Sequence, residues 1–248
     1  MNKTNLTKYA RVIVRNGANV QKNQPVVIVS SVNDAYFTKY VVEECYKAKA
    51  KSVSVEWNCD DVDKLVYKYT KVNVLKEMPE WRISKLKYRA ETLPAMIYIE
   101  SSDPDALADI DQNKMMEVRR AQGPIIKPIR KEMENKYQWT IVAIPGEEWA
   151  QMIFPNYTKT QAMNKLWDAI FKCARVEGDP VENWKNHNAY LLEKCNKLNN
   201  LGIKTLVYKS ANGTDFSVDL IKGTQFMGGG SNTIGGVYYN PNMPTEEC

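Results

Sequence analysis

Hydrophobic residues occur in two alternating patterns along the first 144 residues. Short segments rich in apolar residues lie at 26–29, 53–57, 95–99 and 139–144, and those at 26–29 and 95–99 are continuous apolar runs. Runs of this length are typical of strands that are covered on both faces, as in a parallel sheet. Between them, apolar residues recur every three or four positions, as at Phe37, Val41 and Cys45. This alternation predicts βαβ units and an α/β fold, with a mainly parallel sheet and helices on both of its faces.

Polar residues at the ends of these segments predict the helix boundaries. Gly17 stands at the position of a helix C-cap. Asn33 and Asp34 precede the next helical pattern and are predicted to cap it. Asp103, or the serines before it, is predicted to cap a further helix that runs to about Ala121.

The pattern changes after Pro145. Residues 146–200 have helical spacing, and two short strands are predicted at residues 205–208 and 216–220. Asn212-Gly213 between them favours a hairpin turn. We therefore predict that the parallel sheet is followed by a helical segment and a small β element. The predicted domain covers residues 1–225, and a glycine-rich, exposed tail follows at residues 226–248.

Composition and charge exclude several classes of protein. The chain of 248 residues carries 34 Lys and Arg against 29 Asp and Glu, and the net charge of +5 is spread along the sequence. The basic segment at residues 81–89 is interpreted as a solvated helix face, so no nucleic-acid partner is expected. No apolar run approaches the ~20 residues of a membrane span. Because the N-terminus also lacks an apolar signal core, we expect a cytoplasmic protein with no membrane partner.

Few residues are available for nucleophilic or imidazole-based catalysis. His187 is the single histidine, so a zinc site built from several imidazoles is impossible within this chain. It lies in a helical pattern and is predicted to be a packing or capping residue. The five cysteines form no Cys-x-x-Cys pair and are predicted to be buried free thiols, not a disulfide framework or a zinc site. No Gly-x-Ser-x-Gly motif of a serine hydrolase is present.

Three polar segments are candidate ligand sites. Four carboxylates lie within residues 101–111, where a capped acidic helix start is favoured over a Mg²⁺ or Ca²⁺ site. The glycines at residues 228–236 favour a connector over a phosphate-binding loop. Glu246 and Glu247 closely follow Pro244, and carboxylates on a stiff turn are plausible ligands of a divalent cation.

The chain as a whole resembles the N-terminal part of the aminopeptidase T / aminopeptidase S (aminopeptidase II) metallopeptidase family. The segments that carry the resemblance are residues 100–107, 144–151, 165–170, 213–216 and 242–247, together with Asp179-Pro180, Trp184 and His187. The resemblance implies an exopeptidase that removes N-terminal residues from peptides with two divalent metal ions, zinc or cobalt and sometimes manganese or magnesium. It places the first metal ligand at Glu247, with Glu246 as the alternative, and it implies a possible homodimer.

The sequence departs from the family pattern at its last residue. Cys248 stands where the family usually has valine, and the catalytic glutamate and the other metal ligands follow that position in the family. We therefore expect this chain to be an N-terminal fragment whose tail leads to an absent catalytic domain, with no catalytic residues of its own and negligible activity. The alternative is an α/β module that binds a small ligand at the carboxyl ends of its strands without catalysis.

Overall fold

The computed structural model describes residues 2–101, 103 and 105–244. Within these residues the helices are α1 (Lys3–Val12), α2 (Ala35–Lys47), α3 (Asp60–Tyr69), α4 (Val72–Lys76), α5 (Glu80–Thr92), α6 (Gln112–Met133), α7 (Glu147–Ile153), α8 (Lys159–Cys173) and α9 (Pro180–Asn200). The strands are β1 (Pro25–Ser31), β2 (Ser52–Asn58), β3 (Ala95–Glu100), β4 (Trp139–Ala143), β5 (Thr205–Lys209), β6 (Asp215–Asp219), β7 (Ser231–Asn232), β8 (Tyr238–Tyr239) and β9 (Asn242–Met243).

The main sheet of the described residues has five strands in the order β2-β1-β3-β4-β9. All four neighbouring pairs are parallel. Helices flank this sheet, which confirms the predicted α/β class. Burial follows position in the sheet, because β3 lies at its centre and is almost entirely buried, whereas β2 is an edge strand and remains partly exposed.

An aromatic cluster lies at the centre of the core. Tyr9 of α1 stacks on Phe37 of α2, with ring centroids 5.6 Å apart. Trp167 and Phe171 of α8 stack on each other at 4.9 Å and meet the Tyr9 ring edge-on. Burial raises the pKa of Tyr9 well above its ordinary value. The phenol donates a 2.9 Å hydrogen bond to the carbonyl oxygen of Ala143, which joins this cluster to the end of β4.

The predicted capping interactions differ from those in the structure at Gly17 and Asp34, and the start of α6 is displaced. Gly17 ends a π-helical turn without a left-handed φ, and its absent side chain instead leaves room for Met243. Asp34 makes no side-chain capping bond, and Ser31 caps the short 3-10 turn that precedes α2. Helix α6 begins nine residues after Asp103, at Gln112, because the carboxylate of Asp111 accepts hydrogen bonds from the first helical amides.

The segment predicted to be an exposed tail is largely packed against the domain. Asn240 is fully buried and its amide nitrogen donates to the carbonyl oxygen of Gly17 at 2.9 Å. Its side chain exchanges hydrogen bonds with Asn188 of α9. Met243 is 2% exposed and lies in β9, next to β4. Strand β9 has only two residues and therefore no apolar pattern that could predict it.

The predicted hairpin and free thiols agree with the structure. Strands β5 and β6 pair antiparallel, and Gly213 in the turn has a φ of +94°. Cys45, Cys59 and Cys173 have free thiols, but only Cys45 of these is buried as predicted, since Cys59 is half-buried and Cys173 is exposed. Cys195 is also buried, and Cys248 lies outside the described residues. No helix in the described part of the chain is long and apolar enough to cross a membrane.

Candidate functional site

The carboxyl ends of β1 to β4 open into one crevice. Strand β2 follows β1 in the chain and lies beside it. Strand β3 then lies next to β1 on the opposite side, so the strand order reverses at β1. Ligands of open parallel sheets bind where the strand order reverses in this way. The crevice has a volume of about 420 Å³. Its walls are mainly acidic and include the carboxylates of Asp34, Asp60, Asp61, Asp103, Glu147 and Glu148, with Lys64 also among its lining residues.

A hydrogen bond between residues that follow two adjacent strands spans the base of this crevice. Ser101, directly after β3, donates from Oγ to Oδ2 of Asp34 at 2.5 Å. Asp34 is only 2% exposed, and its carbonyl oxygen accepts a 3.0 Å hydrogen bond from Thr38. The Thr38 hydroxyl also contacts Ser30 at 2.9 Å. These bonds fix the buried carboxylate at the strand-order reversal.

Asp34 and Glu100, near the carboxyl ends of β1 and β3, have raised pKa values. Burial raises the pKa of Asp34, and the charge of Asp60 adds to the increase, while hydrogen bonds from Ser101 and Ser31 oppose it. Burial also raises the pKa of Glu100, with further contributions from Asp60 and Asp34. The crevice therefore favours a positively charged group, because a cation would lower the free energy of each ionised carboxylate.

A second, less polar cavity of about 410 Å³ shares Tyr36, Glu147 and Met163 with the acidic crevice. Burial and the nearby charge of Asp34 raise the pKa of Tyr36 to about 12, so its phenol stays protonated at neutral pH. Trp167 also lines this cavity and is 2% exposed. The two cavities together offer an acidic surface beside an aromatic one.

Close backbone approach shapes the wall of the crevice that follows β4. The amide nitrogen of Ile144 donates to the carbonyl oxygen of Glu100 at 2.9 Å, which extends the β3–β4 pairing to the crevice. A Cβ on Gly146 would lie 2.0 Å from the carbonyl oxygen of Ser101. Gly146 is therefore required by space, since the two loops touch through their backbones.

The described residues do not fit a metal centre. In residues 2–101, 103 and 105–244, no three or more His, Cys, Asp or Glu side chains come together in an arrangement that could hold a metal ion. Glu247 and its alternative Glu246 lie outside the described residues. The structure does place Pro244 immediately after β9, whose carboxyl end lies at the same edge of the sheet as the crevice.

His187 lies in a different pocket, as a packing residue of α9. It is 8% exposed and its ring meets that of Trp184 edge-on at 5.6 Å. Trp184 donates from its indole nitrogen to the carbonyl oxygen of Ala174 at 2.8 Å. The pocket beside His187 has a volume of about 830 Å³ and shares no lining residue with the acidic crevice.

Sequence reasoning did not find the Asp34–Ser101 pair or the role of Gly146. Asp34 and the serines near Asp103 are predicted to cap helices, because each precedes a segment that is predicted to be helical. Asp34 and Ser101 also follow neighbouring parallel strands. Residues in such positions meet at one edge of the sheet, and this could have predicted that the two lie close together. The glycines at residues 228–236 have a packing role, since Gly229 contacts Leu191 and Gly230 lies against Tyr238.

The fold and the acidic crevice define an open α/β domain with a ligand site at its carboxyl edge. Comparison with known proteins identifies its family: residues 2–248 match the model of the thermophilic metalloprotease family M29, and the chain belongs to that family.

The relatives are aminopeptidases. The chain is 36% identical to aminopeptidase AmpS of Bacillus subtilis over 244 residues, which are 98% of this chain and 59% of the relative. It is 35% identical to aminopeptidase PepS of Streptococcus thermophilus, over 99% of this chain and 60% of the relative. The structure of wild-type AmpT from Thermus thermophilus superimposes with a TM-score of 0.88 and 29% identity, over 98% of this chain and 60% of AmpT. The chain thus spans about three fifths of the length of these relatives.

Proposed function

We propose that this chain is the N-terminal α/β part of a metal-dependent aminopeptidase that releases N-terminal residues from peptides. The observation that carries the proposal is the match to AmpT, which extends over 98% of this chain with a TM-score of 0.88. Family membership in the M29 metalloproteases and the aminopeptidase names of the relatives support the same reaction class.

The proposed metal ligand of this chain is Glu247, with Glu246 as the alternative. The proposed ions are two divalent cations, zinc or cobalt, or else manganese or magnesium. Bound divalent ions polarise a scissile carbonyl and activate water. A zinc site generally needs at least three protein ligands, and the described residues bring no such group together. We therefore assign the remaining ligands and the catalytic base to the part of a family-length chain that this sequence does not span.

In this proposal residues 1–225, completed by strand β9, form the α/β domain, and the segment 226–248 that contains β9 also leads toward the metal-binding part. The 248-residue chain is then expected to have negligible peptidase activity by itself. The test compares it with a family-length chimera, in which residues 1–248 are followed by the part of B. subtilis AmpS beyond its matched stretch. With a leucine amide substrate and Co²⁺ or Zn²⁺, the chimera should turn over and the 248-residue chain should not. Chelator-sensitive turnover by the 248-residue chain would contradict the proposal.

Glu247 is tested in the same chimera. Glu247→Gln should lower both metal content after dialysis and kcat by at least about tenfold, because a carboxamide is a much weaker ligand than a carboxylate. Glu246→Gln is the matched control, one residue away, and should retain both. The reverse result would transfer the ligand role to Glu246, and two unaffected variants would remove it from this segment.

The alternative function is that of an α/β module that binds a small ligand without catalysis, and the acidic crevice indicates which ligands it would bind. A binding module with these walls would take a cationic ligand, such as the ammonium group of an amino acid amide or a dipeptide, in preference to a phosphate. Thermal-shift measurements with amino acid amides, dipeptides and nucleotides separate the cases. A shift with nucleotides would count against both this charge argument and the aminopeptidase proposal.

A homodimer is also proposed, and helix α3 is its candidate surface. Val62, Leu65 and Tyr69 lie at helical spacing on α3 and are 53%, 52% and 74% exposed. No residue of this helix is buried. Light scattering should give the mass of a dimer for the 248-residue chain, and Leu65→Asp should shift it toward the monomer. The exposed control Lys87→Asp, on α5, should leave it unchanged, and a strictly monomeric parent chain would refute the dimer.

A further inference from the structure

The β5–β6 hairpin has one apolar face and one polar face. In its register Leu206 pairs with Val218 and Tyr208 pairs with Phe216. Because side chains alternate along a strand and paired residues share a face, these four lie together on one side. The rings of Tyr208 and Phe216 stack at 4.8 Å. The hairpin therefore has the pattern of a sheet that is covered on one side.

On the other face of the hairpin, polar side chains form hydrogen bonds and ion pairs with each other. Thr205 donates from its hydroxyl to Oδ1 of Asp219 at 2.7 Å. Lys209 forms an ion pair with Asp215 at 3.3 Å. Ser217 and Val207 pair with each other on this side. A face of this kind is suited to solvent.

The described residues leave much of the apolar face uncovered, although Leu206 is partly buried. Tyr208, Phe216 and Val218 are 45%, 51% and 44% exposed. The chain on either side of the hairpin is also apolar and exposed, with Leu201 at 70% and Ile221 at 84%. A two-stranded hairpin is only marginally stable in water unless another layer packs on it. An apolar face left open in this way marks an interaction surface.

We propose that this apolar face binds the part of a family-length chain that lies outside the stretch this sequence spans. The relatives are longer by about two fifths of their length, which supplies a segment large enough to form the missing layer. This inference rests on membership of the M29 family. It does not depend on whether Glu247 is a metal ligand.

The size of the face favours a covalently linked segment over a second copy. Tyr208, Phe216 and Val218 are roughly half exposed and together offer roughly 300 Å², since a large side chain buries ~150–250 Å² when fully covered. A stable dimer needs about 800 Å² from each partner. A segment of the same chain needs much less, because the linkage supplies a high effective concentration.

Hydrogen exchange tests the proposal without any catalytic readout. Amide exchange across residues 203–222 is measured in the 248-residue chain and in the family-length chimera defined above. Exchange in the chimera should be at least about tenfold slower, because a covered sheet opens less often. Equal protection of residues 25–31 in both proteins shows that the domain is folded in each.

Two adjacent variants identify the face. In the chimera, Val218→Lys should restore the fast exchange of the 248-residue chain, because it places a charge under the docked segment. Ser217→Lys on the polar face, between Asp215 and Asp219, should keep the slow exchange. Glu247→Gln should keep it too, so that failure of the metal proposal remains distinguishable from failure of this one.

Three outcomes would overturn the inference. The first is equally fast hairpin exchange in both proteins, repeated in a second chimera with the corresponding part of S. thermophilus PepS. The second is slow exchange that survives Val218→Lys. The third is concentration-dependent protection in the 248-residue chain that Val218→Lys removes, which would assign the face to a second copy.

Discussion

At the scale of single residues, burial determines what the candidate site can do. Asp34 was predicted to be a helix cap, which would leave it at the surface. It is instead 2% exposed and accepts a hydrogen bond from Ser101, which lies 67 positions further along the chain. Sequence spacing can predict that residues after neighbouring strands share an edge. It cannot predict which of them is covered, because that depends on how loops from distant segments pack.

The buried carboxyl of Asp34 should make stability depend on pH. Its pKa in the folded protein is raised above the ordinary 3.8 by burial, so the folded state holds this proton more tightly than the unfolded chain does. The cost of ionising Asp34 is therefore absent below about pH 3.8 and grows as the pH rises through the raised pKa. It is greatest at neutral pH.

Asp34→Asn removes this cost and keeps an oxygen that can accept the Ser101 hydrogen bond. The variant should be more stable than the parent at pH 7.5, by about 1.4 kcal/mol for each unit by which the pKa is raised. The gain should disappear near pH 4. Urea unfolding at both pH values measures it, with the exposed Asp109→Asn as control. A variant that is less stable at pH 7.5 would contradict the argument.

At the scale of elements, the sequence predicted which segments are helical better than where they begin. The apolar spacing of α6 was visible, but Asp103, Asp105, Asp109 and Asp111 are all possible caps. The structure uses Asp111, whose Oδ1 accepts hydrogen bonds from Asn113 at 2.9 Å and Lys114 at 3.2 Å. Several adjacent residues of similar capping propensity leave the start of a helix undetermined until tertiary packing selects one.

Loss of the α6 cap should destabilise the domain. Asp111→Ala removes the acceptor for two helix amides and should cost about 1 kcal/mol in the free energy of unfolding. Asp111→Asn should retain most of that stability, because asparagine caps about as well as aspartate. Urea unfolding measures both. Equal stability of the alanine variant and the parent would show that another group caps α6.

At the scale of the whole molecule, the parallel α/β architecture was predictable and its fifth strand was not. Strands β1 to β4 are five to seven residues long and rich in apolar residues, whereas β9 consists of Asn242 and Met243 alone. Its place is determined by tertiary contacts: the amide nitrogen of Ile141 donates to the carbonyl oxygen of Pro241 at 2.7 Å, and Met243 packs against the gap left by Gly17. A two-residue strand has no periodicity that could be recognised in a sequence.

The contribution of this strand can be measured with two methionines. Met243→Ala should lower the free energy of unfolding by about 2–5 kcal/mol, because Met243 is 2% exposed and its removal leaves a cavity beside Gly17 and Thr140. Met227→Ala, at a side chain that is 71% exposed, should change it by less than about 0.5 kcal/mol. Equal effects in urea unfolding would mean that β9 does not stabilise the domain.

The position of β9 also determines when the main sheet can be completed during translation. Its partner β4 is complete about a hundred residues earlier, since Ile141 is in register with Asn242. While the ribosome synthesises the intervening helices and hairpin, β4 is an unpaired edge strand of the nascent sheet. Another extended chain can pair with it during this time. The domain can reach its final topology only after Met243 has left the exit tunnel, so that completion of the sheet is necessarily a late event in translation.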